Sequence, residues 1–451
     1  MLAARLLGDT LKASAIGLAI GAALFALFTL ANYHSIGRDV QADRSAISAA
    51  FASGSLGDED WRRGDTQIGQ HQFNDCLILQ MAIDQRPPRR QLMVSPSWPT
   101  LAPPEPACRD LRRLIGGETP SPHIAFYHRY VHGQVMLVRT LLPTMSIDAI
   151  RALFRFAVAG VILLGLAVSL AALVAGRRMR EGLVWLIVFL AFARFFGIEA
   201  FGQSLGHGPS DLIVLLFALM LAVASVWRGL SDGAVMPLAA MFGGATMIFE
   251  LLTGGIPLGL ALLIGGLPFA LRGGDGARPC WQAVWRAVVA FSAAIAACVV
   301  LKLALIVQVF GREGLSGIGQ QLAVRMGVGA NEGGADLGPV RFAVQILKGM
   351  DGLVPGMREF AALVIALAVA SGAWGLWRIG RSADPRLRTQ ACLLAGSNIV
   401  LPVWLIAFRE HSMAHSWFMD RILVWTVASG FALFALALVD RSGRAVQVKA
   451  P

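Results

Sequence analysis

Long apolar runs alternate with polar stretches along the whole chain. They fall at residues 13–31, 150–174, 183–200, 211–227, 234–252, 255–271, 286–309, 359–377, 390–407 and 422–439. Each comes close to the roughly 20 residues that a helix needs to cross about 30 Å of hydrocarbon. None shows the period-two alternation of a transmembrane strand, which argues against a β-barrel. The pattern predicts an all-α polytopic membrane protein of about ten transmembrane helices, with a large extracytoplasmic loop after the first helix. Arg5 and Lys12 precede the first run, as in a signal peptide, but no small-x-small site follows it. The run therefore reads as an uncleaved helix.

The spacing divides the chain into five parts: a first helix in 1–32, an extracytoplasmic loop subdomain in 33–146, helices two to seven in 147–309, a mobile extracytoplasmic loop in 310–357, and helices eight to ten with a cytoplasmic tail in 358–451. Within the first loop, 40–53 and 73–83 suit short helices on the membrane surface. The proline-rich "RPPRRQLMVSPSWPTLAPPEP" of 86–106 should be irregular. The second loop is rich in glycine and lacks periodicity, which suits a mobile element beside a site.

Charge sets the expected orientation. "AGRRMREG" (175–182), "RGGDGARPCWQAVWR" (272–286), "WRIGRSADPRLRTQ" (377–390) and the tail "DRSGRAVQVK" (440–449) are rich in arginine. Ten crossings put all four on one side, which the positive-inside rule makes the cytoplasm, with both termini there. A bacterial inner (plasma) membrane is the expected location. All eight histidines (His34, His71, His123, His128, His132, His207, His411 and His415) then fall on the outer side. Cys76 and Cys108 share the first outer loop, where a disulfide could form in an oxidising compartment. Cys280, Cys298 and Cys392 are expected to be free.

Composition agrees. The chain is 56% hydrophobic and 15% charged, with a mean hydropathy of +0.63, against about 25% charged in soluble domains. The net charge of +11 reflects arginines at span ends. No basic stripe with interleaved aromatics points to nucleic acid.

Four clusters carry candidate chemistry. The first is "FREHSMAHSWFMDR" at 408–421. On a continuous helix His411 and His415 stand one turn apart. With Arg421 they supply donors for an anionic head group, since arginine grips phosphate in a bidentate way. A divalent metal would need a third ligand, and Glu410 lies off that face. Trp417 and Phe418 suit an interfacial belt, and Asp420 and Arg421 follow as the last span begins. The second is "DTQIGQHQFNDCLILQMAI" at 65–83. Asp75 with His71 could act as a general base on an acceptor hydroxyl, and Asn74 or Asp75 could instead cap the helix that follows. The third is charge within spans: Arg194, Glu199, Glu250 and Lys302. Such groups are costly in lipid and are either paired, as Arg194 with Glu250, or functional. The fourth is "NYHSIGRDVQADRS" at 32–45, which brings His34, Arg38, Asp39 and Asp43 to the end of the first span.

Three segments, "FNDCLILQMA", "FELLTGGIPLGL" and "EHSMAHSWFMDR", resemble patterns in a family of multi-spanning bacterial envelope proteins: D-[AC]-x-x-L, F-[DE]-x-L-T-x-x-x-x-x-G and N-H-S-x-x-H-x-x-F-x-x-R. Glu410 stands where that last pattern has asparagine. The layout also resembles the A class of the GT-C superfamily of membrane glycosyltransferases, with its large outer loop after the first span and a mobile outer loop between the seventh and eighth. That resemblance implies an acidic base from the first outer loop, with Asp39, Asp43 and Asp75 as candidates, and basic residues holding a polyprenyl phosphate.

These readings converge on an expectation. The chain would be a glycosyltransferase that takes a sugar from a polyprenyl-phosphate donor and places it on an envelope glycan or lipid at the periplasmic side. His71 would assist the base, and His411, His415 and Arg421 would receive the phosphate. Glu410, Asp420, Glu250, Lys302 and Arg194 complete the candidate substrate-binding set. No cofactor is required beyond a possible divalent metal. Two rival expectations are a transporter or flippase, with Arg194, Glu250 and Lys302 lining its path, and an outer-face acyl- or phospho-group transferase with a histidine base. A non-enzymatic scaffold of an envelope complex is the third.

Overall fold

A computed structural model describes the chain except for residues 1, 60–61, 64–65, 68–71, 177, 251, 273–276, 329–337 and 448–451. Among the described residues, eight helices are long and apolar enough to cross a membrane: Leu6–Ser35, Ile147–Val174, His207–Val226, Asp232–Phe249, Pro279–Phe310, Arg358–Ile379, Pro385–Ala407 and Ser416–Asp440. The chain is thus helical and polytopic. The two remaining apolar runs fold as shorter helices. One is Met179–Phe195, of 17 residues. The other is Gly255–Ala270, interrupted by a π turn at Leu262–Gly266.

Local chemistry explains several boundaries. Ser146 caps Ile147–Val174 by accepting from the Ala149 amide. Asp384 accepts from two amides ahead of Pro385, and proline suits a first helical position because it has no amide proton to leave unpaired. The first helix packs closely on Pro279–Phe310 through Gly17 and Gly21. A Cβ at either would lie about 2.4–2.5 Å from the carbonyls of Ala290 and Ala294. Small residues four apart are the usual way for membrane helices to approach this closely.

The two ends of the bundle differ. At one, Arg180 pairs with Asp384 at 2.6 Å and with Asp440 at 3.5 Å, and Arg386 donates to the Leu271 carbonyl at 3.1 Å. The arginine-rich stretches thus gather there, as the charge pattern leads one to expect. The 33–146 segment covers the opposite end. It is tied there by Asn32 to the Met93 carbonyl at 2.9 Å, by Lys302 to the Val94 carbonyl, and by Arg151 to Asp75 at 2.7 Å.

That segment has its own core, including Ile47, Phe51, Ile78, Leu79, Leu111 and Val135. The expected short helices are present as Val40–Ala52 and Gln72–Ile83. The proline-rich stretch is more ordered than expected. Pro88 opens a helix at Arg89–Val94, and Ser97–Trp98 pairs antiparallel with Ala125–Phe126. Proline ends regular structure only where its missing amide is needed, and a helix start does not need it. The 310–357 stretch likewise contains helices at Ser316–Arg325 and Pro339–Gly349.

Cys76 and Cys108 form a disulfide with Cα atoms 5.0 Å apart, and Cys280, Cys298 and Cys392 are free. The bridge closes a 32-residue separation, which is worth about 2–4 kcal/mol. A Cys76→Ser/Cys108→Ser variant is expected to be cut within 33–146 at much lower protease concentration than the parent. Equal resistance would mean that the core of the segment suffices without the bridge.

Candidate functional site

A cavity of about 420 Å³ lies between the 33–146 segment and the 408–421 stretch. Helix Gln72–Ile83 supplies one wall through Phe73, Asn74, Leu77, Ile78 and Met81. The Ser97–Trp98 ladder and the chain after it bring Trp98, Tyr127, Arg129, Tyr130 and His132. Arg325, the last residue of its helix, enters from the third side. His411, His415, Trp417 and Phe418 close the fourth. No carboxylate is among these lining residues.

Backbone geometry holds the wall in place. His132 takes a left-handed conformation, φ 69°, which is costly for a residue with a Cβ. The helix it opens sits hard against the end of Asp232–Phe249, and a Cβ on Gly133 would lie 2.8 Å from Ile248. His132 Nε2–H donates to the Tyr127 carbonyl at 2.8 Å, so its Nδ1 is the acceptor nitrogen, buried with no hydrogen-bond partner among the described residues. On the far wall the helix Arg409–Ala414 breaks at His415 and resumes at Ser416–Met419. Just past the break the chain packs closely on Gly352, where a Cβ would fall 1.6 Å from the Trp417 carbonyl oxygen.

The two imidazoles of 408–421 stay together despite the break, with ring centroids 4.7 Å apart. Arg325 Nη1 donates to His411 Nδ1, and His411 Nε2–H donates to the Leu252 carbonyl at 3.4 Å. His415 stacks on Phe418 at 5.1 Å. Burial holds the His411 pKa well below the usual imidazole range, helped by His415 and Arg325. Burial and then Arg325 hold His415 at about 4, and burial holds His132 low as well, with Lys302 the next cause. All three are therefore neutral near pH 7. The cavity combines two guanidinium groups, neutral imidazoles and flat aromatic faces. That combination suits an anion carrying a sugar or another ring.

Several expected site residues lie elsewhere. Arg421 does not face the cavity. It is buried, pairs with Asp211 at 2.5 Å, donates to the Phe196 carbonyl at 2.8 Å and packs over the rings of Phe196 and Phe201. Its charge is already balanced by Asp211. Asp75 is fully buried. Its Oδ2 accepts from Arg151 Nε and Nη2 at 3.0 and 2.7 Å, and its Oδ1 from Ser204 Oγ and the Leu205 amide at 2.8 and 2.7 Å. Burial pushes the Asp75 carboxyl up, against the pull of Arg151 and those hydrogen bonds. Both oxygens are engaged, an arrangement that fastens Gln72–Ile83 to the membrane helices.

Asp39 is exposed and caps Val40–Ala52 through the Ala42 amide at 3.0 Å. Asp43 is a buried residue in the first turn of the same helix, and burial pushes it to about 7, with Asp39 adding to the rise and Arg139 opposing it. Neither lines the cavity. His71 lies outside the described residues. Glu250 ends Asp232–Phe249 and accepts from the Thr253 and Gly254 amides. Burial pushes it to about 7, against those bonds.

Lys302 holds the Val94 carbonyl and, at 3.1 Å, Ser95 Oγ. Arg194 and Glu199 are exposed. Glu410 is half-buried beside His411. Asp420 is buried against Gly349. Arg194, Glu250 and Lys302 therefore sit in separate surroundings, and among the described residues Arg194 and Glu250 form no ion pair with each other. No group of three or more His, Cys, Asp or Glu among the described residues is placed to hold a metal ion.

The structure places His411 and His415 on one cavity with residues of the first loop, but beside Arg325, Arg129 and aromatic residues rather than beside the acids and Arg421. The run "FYHRYVH" at 126–132 carried a readable signal, since three aromatic and three basic residues fall within seven positions. Compared with known proteins, the chain matches no family model, no curated protein and no solved structure.

Proposed function

We propose that the chain is a membrane glycosyltransferase that uses a polyprenyl-phosphate-linked sugar to modify an envelope glycan or lipid. The reaction takes place at the periplasmic side of a bacterial inner membrane, at the end of the bundle covered by the 33–146 segment. In this topology the chain crosses ten times, with Met179–Phe195 and Gly255–Ala270 as two short spans and both termini cytoplasmic. The observation that carries the reading is the make-up of the cavity: Arg129 and Arg325, Trp98, Tyr127 and Trp417, and no carboxylate among the lining residues. Charge-assisted hydrogen bonds from guanidinium suit a phosphate, and preorganised cations stabilise the charge that grows on it as the sugar departs. Flat rings suit the apolar faces of a sugar. The resemblance to GT-C enzymes supports the same reading at the level of layout, which is an analogy of architecture.

The His411–His415 pair favours one alternative, a group transferase with an imidazole base and a different donor. The test is turnover by the full chain in nanodiscs supplied with a panel of undecaprenyl phosphosugars and extracted envelope lipids and glycans. Release of undecaprenyl phosphate, with an acceptor heavier by one sugar, is the expected result. An acyl or phosphoryl gain without sugar would support the alternative. Movement of an unchanged donor across the bilayer in liposomes, with no covalent product, would replace both with a flippase.

A further inference from the structure

This inference rests on the cavity being a lipid-phosphate site. His411 and His415 are close in space but differ chemically. Both nitrogens of His411 are engaged, one by Arg325 and one by the Leu252 carbonyl. A second proton on its Nδ1 would displace the guanidinium. His415 makes no side-chain hydrogen bond to the described residues, and its Nδ1 is buried without a partner. Its ring is confined between Phe418, stacked at 5.1 Å, and the edge of Trp417 at 5.3 Å. An imidazole with no hydrogen bond on a cavity wall, held beside the ring that orients an arginine, lacks only a hydroxyl to bond.

We propose that His415 receives the proton of the acceptor hydroxyl while Arg325, positioned by His411, holds the phosphate of the donor. In the step, the acceptor oxygen bonds to the anomeric carbon, and the carbon–oxygen bond to phosphate breaks. The electron pair of that bond leaves on the phosphate oxygen beside Arg325, and the hydroxyl proton moves to His415. His415 is then the catalytic residue and His411 a positioning residue.

The free imidazole is a poor base because burial and Arg325 hold it at about 4. A bound phosphate offsets the guanidinium and raises the proton affinity of His415, so the base becomes effective once the donor is in place. The other groups around it are Arg129, His132, Tyr127 and Tyr130 across the cavity and Glu250, whose charge reaches Tyr130. Arg409, Glu410 and Asp420 lie on its own stretch. Linkage fixes the sign: a ligand that raises a pKa binds more tightly as pH falls through the raised value, and the gain levels off below the free value.

The test is the affinity of undecaprenyl phosphoglucose, whose phosphodiester does not titrate in this range, for the full chain in nanodiscs. Affinity is expected to rise at least about tenfold from about pH 8 to about pH 5. His415→Gln should keep its affinity at the higher pH within about threefold, lose most of the rise, and lower kcat with little change in KM for the donor that turns over. His411→Asn should weaken binding at every pH. Retained binding at the higher pH shows that His415→Gln is folded. A wild type that binds equally at both pH values, or a His415→Gln variant that keeps both the rise and kcat, overturns the role of His415 alone. A wild type that does not bind the lipid at all overturns the cavity reading beneath it.

Discussion

Arg325→Gln is expected to weaken polyprenyl-phosphate binding by about 30- to 150-fold, because a hydrogen bond to a charged group is worth about 2–3 kcal/mol. The change removes the guanidinium that His411 orients and leaves a shorter, neutral polar side chain. Arg325 is half-buried at the end of a surface helix, so the membrane core should be untouched. Arg129 is exposed, and its loss should cost less, since water screens an exposed charge. Titration by intrinsic tryptophan fluorescence is well placed to see this, because Trp98 and Trp417 line the cavity. Equal affinity in the variant and the parent would remove Arg325 from the site.

Asp75→Asn is expected to destabilise the protein by about 3–5 kcal/mol, the usual effect of removing one partner from a buried ion pair. The change removes the carboxylate charge opposite Arg151, which is only 4% exposed at its side chain and keeps its bond to the Ser55 carbonyl. Less folded protein should survive extraction from membranes. The double change Asp75→Leu/Arg151→Met removes both charges together and should recover most of the loss, because a hydrophobic pair can replace a buried salt bridge at little cost. The double variant separates two roles that the single one confuses. A folded and active double variant makes Asp75 a structural tie between Gln72–Ile83 and Ile147–Val174. A folded but inactive one would make it the base after all.

The membrane helices were legible because burial in lipid demands long apolar stretches, and 390–407 or 422–439 has few other uses. Where a run was short or broken, as at 183–200 and 255–271, hydropathy alone could not give the length of the helix. The disulfide partners were legible because only two of the five cysteines share the first loop. His411 and His415 were legible because lipid-embedded chains rarely place two imidazoles together without cause. Their arginine was not. Arg421 is the nearest in the motif, yet Asp211, some 210 residues away, claims it. That pairing depends on how Ser416–Asp440 packs beside His207–Val226, which no local pattern encodes. Arg325 was hidden for the opposite reason. It sits in a glycine-rich stretch with weak periodicity, and only tertiary packing brings it to His411. Asp75 shows a third difficulty, since a buried acid in a motif reads alike whether it acts on substrate or anchors a helix.

The central claim is that the hollow between 33–146 and 408–421 holds the phosphate end of a polyprenyl lipid. Photo-cross-linking tests it directly, with an undecaprenyl phosphate carrying a diazirine beside the phosphate and the full chain in nanodiscs. The account predicts adducts on peptides containing Arg129–His132, Arg325 and His411–Phe418, displaced by excess unlabelled lipid. Labelling confined to lipid-facing helices such as Arg358–Ile379, and unaffected by competitor, would contradict it.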